Sequence, residues 1–359
     1  MTYLDYQATT PLDPQALAAM LPWLERQHAN PHSSHRAGRE AKAAVEVARG
    51  RVARLLPAGG TVSFTSGATE ALNWAIKGSR GPTVTLPTEH AAVLDTVAAS
   101  GREHRLLPVG ADGIVELASV REALGGEPGL LAVMLVNNEI GVVQPIGELA
   151  AIAREAGWLF LCDAVQGAGR IDLPDGPDLI AVSAHKIYGP KGIGALWTRD
   201  GLTLAPLLHG GGQEAAGRSG TLSPALCAGF GAAAALMVER HDEDAALVER
   251  LWDIATARLA GWTINGDAER RYRGNLNVRR EGLDVARLMS DLRDVAFSAG
   301  SACASGSGRS SHVLRAIGLD ERAARSSLRL GWGRYTTEGE LAGAIDAIVA
   351  AADRQRVAA

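Results

Sequence analysis

The runs Asp163-Ala164-Val165-Gln166 and, downstream, Ser183-Ala184-His185-Lys186-Ile187-Tyr188-Gly189-Pro190-Lys191-Gly192 decide the reading of this chain. The apolar stretch Trp158-Leu159-Phe160-Leu161-Cys162 reads as a strand that delivers an Asp at its carboxyl end. A second apolar run, 179–182, delivers a Lys just past its own end. Alone, the first residue reads as a strand-terminal cap and the second as a surface lysine. Together, a buried carboxylate and a buried amine on neighbouring strand ends are what a pyridoxal 5'-phosphate (PLP) site requires. The amine forms a Schiff base with the cofactor, and the carboxylate keeps the pyridine nitrogen protonated so that the ring accepts electrons.

A phosphorylated cofactor needs an anion anchor as well. Ser66-Gly67-Ala68-Thr69-Glu70 follows the strand-like Thr61-Val62-Ser63-Phe64-Thr65 and opens a helical stretch through Lys77. Small residues let backbone N–H groups approach an anion there, and the start of the helix adds positive dipole. Helix capping alone would also select these residues; it is Lys186 and Asp163 that turn the run into a third anchor. Ser183 and His185, flanking the lysine, are placed to donate to the same phosphate.

Outward from these motifs, short apolar or β-branched runs at 61–65, 83–86, 105–109, 130–136, 158–163, 179–183 and 194–197 alternate with amphipathic stretches at 70–77, 91–100 and 147–156. Unalternating runs of this kind are strands covered on both faces. The pattern predicts an α/β fold with a mostly parallel sheet flanked by helices, its ligand at the carboxyl ends of the strands. An earlier helix, about 39–56, carries Val45, Val52 and Leu55 inward and Arg49 and Arg51 outward. From about Ala245 the character changes: a long helix to Leu259, strands at 262–264, 275–278, 295–298 and 327–330, and helices at 284–292 and in the last twenty residues. The expected division is a large α/β domain over 12–245 and a smaller α+β domain formed by 1–11 and 246–359.

Composition is permissive. The 359 residues suffice for a large domain and a smaller one, and 47% hydrophobic with 21% charged residues is ordinary for a soluble globular protein. A net charge of −4 gives no electrostatic reason for nucleic acid or an anionic membrane as main partner. The arginines at 270, 271, 273, 279 and 280 read as a solvated face. Met1-Thr2-Tyr3-Leu4-Asp5-Tyr6 has neither a basic n-region nor an apolar h-region, and the nearly apolar stretch 225–238 is too short to span a bilayer. A cytoplasmic location is expected.

Three cysteines, an odd number, argue against a disulfide framework. Cys162, in a bulky apolar strand, and Cys227, beside the helix start Ser223-Pro224, read as packing thiols. Cys303 stands in Ser298-Ala299-Gly300-Ser301-Ala302-Cys303-Ala304-Ser305-Gly306-Ser307-Gly308, which has almost nothing to bury and reads as a mobile surface loop. A thiol displayed there is open to oxidation, which favours a chemical use for it.

Taken in order, further runs carry a resemblance. Tyr3-Leu4-Asp5-Tyr6-Gln7-Ala8-Thr9-Thr10-Pro11, Asn30-Pro31, the Ser66 run, Thr88-Glu89-His90, Val136-Asn137-Asn138-Glu139-Ile140-Gly141, the Asp163 and Lys186 runs, Gly210-Gly211-Gly212-Gln213-Glu214, Arg218-Ser219-Gly220-Thr221 and Gly300-Ser301-Ala302-Cys303 resemble those of the NifS/IscS-type cysteine desulfurases, within the class V, fold-type I PLP enzymes. The longer loop at Cys303 is similar to that of the housekeeping group. The resemblance implies that Lys186 holds PLP and acts as general acid/base, that His90 stacks on the ring and assists proton transfer, that Asp163 pairs with the ring nitrogen and that Gln166 contacts the phenolic oxygen. Thr69, Ser183 and His185 would bind the phosphate, Ala68 would be a further cofactor-binding residue, and Thr221 would reach the phosphate from the partner subunit of a homodimer. Asn138 and Arg329 would hold the carboxylate of L-cysteine, the guanidinium through two bonds. The Cys303 thiolate would attack the substrate sulfur, leaving L-alanine and a persulfide for delivery to an iron–sulfur scaffold or other acceptor protein. A nucleophile that hands sulfur outward needs a loop that can swing.

Two departures qualify the resemblance. Relatives often read Leu-Glu-Pro-Ser where this chain has Gly308-Arg309-Ser310-Ser311, which predicts a more mobile hinge and a different acceptor preference. The chain also stops at Val357-Ala358-Ala359, short of the extension with which some relatives dock a scaffold. The competing readings are selenocysteine lyase, another class V aminotransferase or lyase in which Cys303 has no role, and a non-catalytic protein on the same fold.

Overall fold

A computed structural model describes residues 1–214, 217–299 and 311–357. The chain opens with β1 (Thr2–Tyr3), α1 (Pro14–Glu25) and α2 (Arg36–Ala53). Then come β2 (Gly60–Thr65), α3 (Ala68–Gly78), β3 (Thr83–Thr85), α4 (Ala91–Ala99), β4 (His104–Leu106), α5 (Leu117–Ala123), β5 (Leu130–Met134), α6 (Ile146–Glu155), β6 (Leu159–Asp163), β7 (Leu179–Ser183) and β8 (Gly194–Arg199). After the helices α7 (Pro224–Glu239) and α8 (His241–Arg258) lie β9 (Thr263–Ile264), β10 (Asn275–Arg279), α9 (Val285–Asp291), β11 (Val295–Ala296) and β12 (Ser298–Ala299). The remainder is α10 (His312–Ala316), α11 (Glu321–Arg325), β13 (Ser327–Gly331) and α12 (Glu338–Val357).

A seven-stranded sheet in the order β2-β8-β7-β6-β5-β3-β4 forms the centre. Every pairing in it is parallel except those of β8, which runs against both β7 and β2. Successive side chains alternate between faces, so Leu161, Leu179 and Ala181 pack with α3 and α4 while Phe160, Cys162, Ile180 and Val182 join the main core opposite. Both faces are covered, which is why these strands read as unbroken apolar runs. Burying a side chain such as Phe160 contributes roughly 2–3 kcal/mol. The edge strand β4 departs from the expectation of two-sided cover: His104, Arg105 and Leu106 are all exposed.

A second, four-stranded antiparallel sheet runs β12-β13-β10-β9, and β1 pairs with β11 alongside it. The single strand expected at 295–298 is thus two, with Phe297 between them, because β11 and β12 join different sheets. Gly331 N–H donates to Leu4 O at 2.8 Å, and the Gln7 carboxamide donates to Gly274 O at 2.8 Å, tying the first residues to this sheet. α1 carries apolar residues on two sides, Ala16 and Met20 buried and Leu17, Leu21 and Leu24 exposed, which blurs its period in the sequence. Asp13 caps it, accepting from Gln15 N–H at 2.8 Å.

Two arginine assignments are corrected. Arg49 does not point outward: it pairs with the buried Glu214 at 2.7 Å, and Glu214 also accepts from Phe64 N–H at 3.3 Å. Arg271 is buried, donating to the carbonyls of Ile140 at 2.8 Å and Asn275 at 3.0 Å beneath the Trp252 ring. Cys162 and Cys227 are buried, and burial raises the Cys162 thiol well above its ordinary range and pushes the Cys227 thiol up to about 12. No helix among the described residues is long and apolar enough to cross a membrane.

Candidate active site

Parallel strands end together, so β2, β3, β5, β6 and β7 discharge their loops at one edge of the sheet. A cavity of about 600 Å³ opens there. Ala68, Thr69, His90, Asn138, Asp163, Gln166, Ser183, His185, Lys186 and Arg329 all line it, although they come from segments scattered over most of the chain. Thr221 is exposed and does not line the cavity of its own chain. Cys303 and the departure at 308–310 lie outside the described residues. The wall includes Ser298, from which the chain leads toward Cys303.

Lys186 ends a 3₁₀ turn, Ala184–Lys186, that follows β7 directly. Its Nζ donates to the carbonyls of Gln7 and, at 2.9 Å, Ala8, while its own carbonyl accepts from Arg170 Nη2. Two residues on, Tyr188 adopts φ 66°, a left-handed conformation costly for a bulky residue. Surrounding bonds hold it there: Tyr188 N–H donates to Thr10 Oγ1 at 2.8 Å, its hydroxyl accepts from Arg334 N–H at 2.9 Å, and the Arg334 guanidinium lies 4.4 Å above its ring. The lysine therefore leaves a turn fixed on both sides. His185 Nδ1 lies 3.2 Å from Thr9 Oγ1, and burial, helped by Lys186 and Lys191, pushes its imidazole down to about 4. It faces the cavity as a neutral ring.

Asp163 closes β6, in register with Met134 of β5 and Ala181 of β7. It is only 5% exposed, and Val165 N–H donates to its Oδ1 at 3.0 Å. Burial raises the carboxyl, against the pull of Val165 N–H, His90 and Lys186. A buried carboxylate on a cavity wall calls for a cationic N–H partner within that cavity. His90 caps α4, its Nδ1 accepting from Ala92 N–H at 3.1 Å, so the neutral ring carries its proton on Nε2. Burial depresses its pKa, with Lys186 and His312 adding to this against Asp163.

The turn between β2 and α3 depends on glycine at one point. A Cβ on Gly194, the first residue of β8, would lie 2.7 Å from the Gly67 carbonyl carbon and 2.6 Å from Val182 O. Without one, the turn after β2 settles against the sheet. Ser66 N–H donates to Glu70 Oε2 at 2.7 Å, and Glu70 is held in turn by Arg218 at 2.8 Å. The first-turn N–H groups of α3 have no carbonyl partner within the helix and point toward its N-terminus.

Across the cavity, Arg329 projects from β13 and is 4% exposed. Nη1 donates to Asn138 O at 2.9 Å; Nη2 donates to Asp5 Oδ1 at 2.8 Å and to Ser298 Oγ at 3.2 Å. Ser298 Oγ itself donates to Asp5 Oδ1 at 2.8 Å. Asn138 sits in a turn built by Asn137, whose Oδ1 accepts from Glu139 and Ile140 N–H, both at 2.9 Å. Sequence reasoning gave no role to Asp5, Gln7, Thr9, Lys191 or Ser298, which also line the cavity. The run beginning at Tyr3 was the available signal for the first three, yet nothing local to it announces an ion pair with Arg329.

The cavity suits the cofactor expected from the sequence in volume, in its buried carboxylate and half-buried amine, and in the free backbone N–H groups at the start of α3. Comparison with known proteins agrees in fold. The aminotransferase class-V family model matches residues 2–342. A protein named cysteine desulfurase IscS from Rickettsia felis is 43% identical over 375 residues, covering 99% of this chain and 92% of its own. A solved NifS-like protein aligns with a TM-score of 0.89 at 31% identity, over 97% of this chain and 98% of its own. A structure described as SspA in complex with cysteine aligns with a TM-score of 0.83 at 34% identity, over 94% of this chain and all of its own.

Proposed function

Because the chain belongs to the aminotransferase class-V family, we propose that it is a PLP-dependent cysteine desulfurase. The observation that carries this reading is the meeting of Lys186, Asp163, the turn before α3 and Arg329 in one cavity at the carboxyl ends of the strands. Bound PLP would supply an electron sink for the charge left when the substrate loses its α-proton. Lys186 would carry the cofactor and move that proton, and Asp163 would hold its ring nitrogen. Ala68, Thr69, Ser183 and His185 would hold its phosphate, Gln166 its phenolic oxygen, and His90 would cover its ring.

Arg329 and Asn138 would take the substrate carboxylate. That cysteine is the substrate is supported by the relative described in complex with cysteine and by the cysteine desulfurase relative. The overall reaction converts L-cysteine and the Cys303 thiol into L-alanine and a Cys303 persulfide, which an acceptor protein then takes. The active unit is a homodimer in which Thr221 serves the partner's phosphate site. Residues 12–245 form the larger domain, with 1–11 and 246–359 the smaller.

Incubation with ³⁵S-labelled cysteine, trapping with an alkylating reagent and peptide mass spectrometry test this. Label on Cys303 with release of one alanine per sulfur is expected, and Cys303→Ala is expected to lose more than 90% of transferable sulfur. Undiminished transfer by that variant contradicts the reading.

A further inference from the structure

Arg170 touches two residues of the proposed cofactor site, Gln166 and Lys186. It stands in the turn after β6, half-buried, with its guanidinium 5.3 Å from the centre of the Tyr272 ring. Nη1 donates to Gln166 Oε1 at 3.3 Å and to Gln166 O at 3.4 Å, and Nη2 donates to the Lys186 carbonyl. One rigid fork therefore spans the loop after β6 and the lysine turn after β7.

The chemistry of its neighbours fixes the sense of the Gln166 amide. A guanidinium offers only donors, so the amide oxygen must face Arg170. On the other side stands Gln7 O, a pure acceptor, to which Gln166 Nε2 donates at 2.9 Å. Only one orientation satisfies both. It leaves the second Nε2 hydrogen for the cavity, where a donor stabilises a phenolate oxygen and a flipped amide would present repulsive oxygen. The same Gln7 carbonyl accepts from Lys186 Nζ, so Gln166 and Lys186 are registered against each other through Gln7 in front and Arg170 behind.

We propose that Arg170 is a positioning residue that locks Gln166 as a hydrogen-bond donor to the cofactor and holds the Lys186 turn in register with it. The proposal rests on the reading that Gln166 and Lys186 hold PLP. It is tested by titrating PLP into the full-length apo-protein and following the visible band of the bound form for wild type, Gln166→Leu, Arg170→Met and the double variant.

Each single change is expected to weaken binding about tenfold, the equivalent of one charge-assisted hydrogen bond. The double variant is expected to bind no more weakly than the weaker single, and Arg170→Met to shift the band as Gln166→Leu does. Arg170→Lys, which keeps the cation without the fork, should recover part of the loss. Multiplicative losses in the double variant, or wild-type affinity and band in Arg170→Met, would overturn the proposal. If Arg170→Met does not fold, the cycle of Arg170→Lys with Gln166→Leu makes the same comparison. Failure of the wild-type chain to take up PLP would instead contradict the underlying reading.

Discussion

Arg329 shows how much a single buried cation demands of its surroundings. Asp5, Ser298 and the Asn138 carbonyl occupy its Nη groups, so the guanidinium is oriented before any substrate arrives. A lysine at that place would keep the charge but lose the planar fork. Arg329→Lys is therefore expected to lower kcat/KM for L-cysteine roughly 10- to 100-fold, carried mainly in KM. Cysteamine, which lacks the carboxylate, should be turned over alike by both forms. An equal loss on the two compounds in steady-state assays would remove Arg329 from carboxylate binding. Lys186 and Asp163 were legible because each follows an apolar strand immediately. The Asp5 partnership was not, since its members lie at opposite ends of the sequence and meet because a bridge between Asp5 and Gly331 lays the first residues alongside β13. Arg49 and Arg271 misled for the same reason: a charged letter does not reveal a distant carboxylate or a ring of carbonyls.

Elements matter here chiefly through where they stop. β6 and β7 are parallel neighbours, so Asp163 and the lysine turn emerge side by side. β8, which runs against them, must start beside the turn between β2 and α3, and Gly194 is the residue that lets it do so. Backbone atoms, which cannot swing aside, crowd the space where a methyl would go. Gly194→Ala is expected to displace the turn at 66–69 and weaken inorganic phosphate and PLP binding at least tenfold, with a modest drop in Tm. Unchanged affinity by calorimetry would mean that the turn tolerates the shift. Strands such as β6 and β7 were legible because two-sided burial writes itself as an apolar run. α1 and the division between β11 and β12 were not, because an apolar stripe facing solvent and a strand that changes partner leave no distinct period.

At the scale of the whole molecule, the fold brings residues from Asp5 to Arg329 around one cavity of about 600 Å³, and the account stands on the claim that Lys186 is the amine that carries the cofactor there. The chain makes this unusually easy to examine, since its only lysines are Lys42, Lys77, Lys186 and Lys191. Of these, Lys186 and Lys191 line the cavity, and only Lys186 reaches inward to the carbonyls of Gln7 and Ala8. Loading the full chain with PLP, reducing it with borohydride and locating the phosphopyridoxyl group by peptide mass spectrometry decides between them. The group is expected on Lys186 alone and absent from Lys186→Ala. Its appearance on Lys191, or its persistence in that variant, would contradict the account.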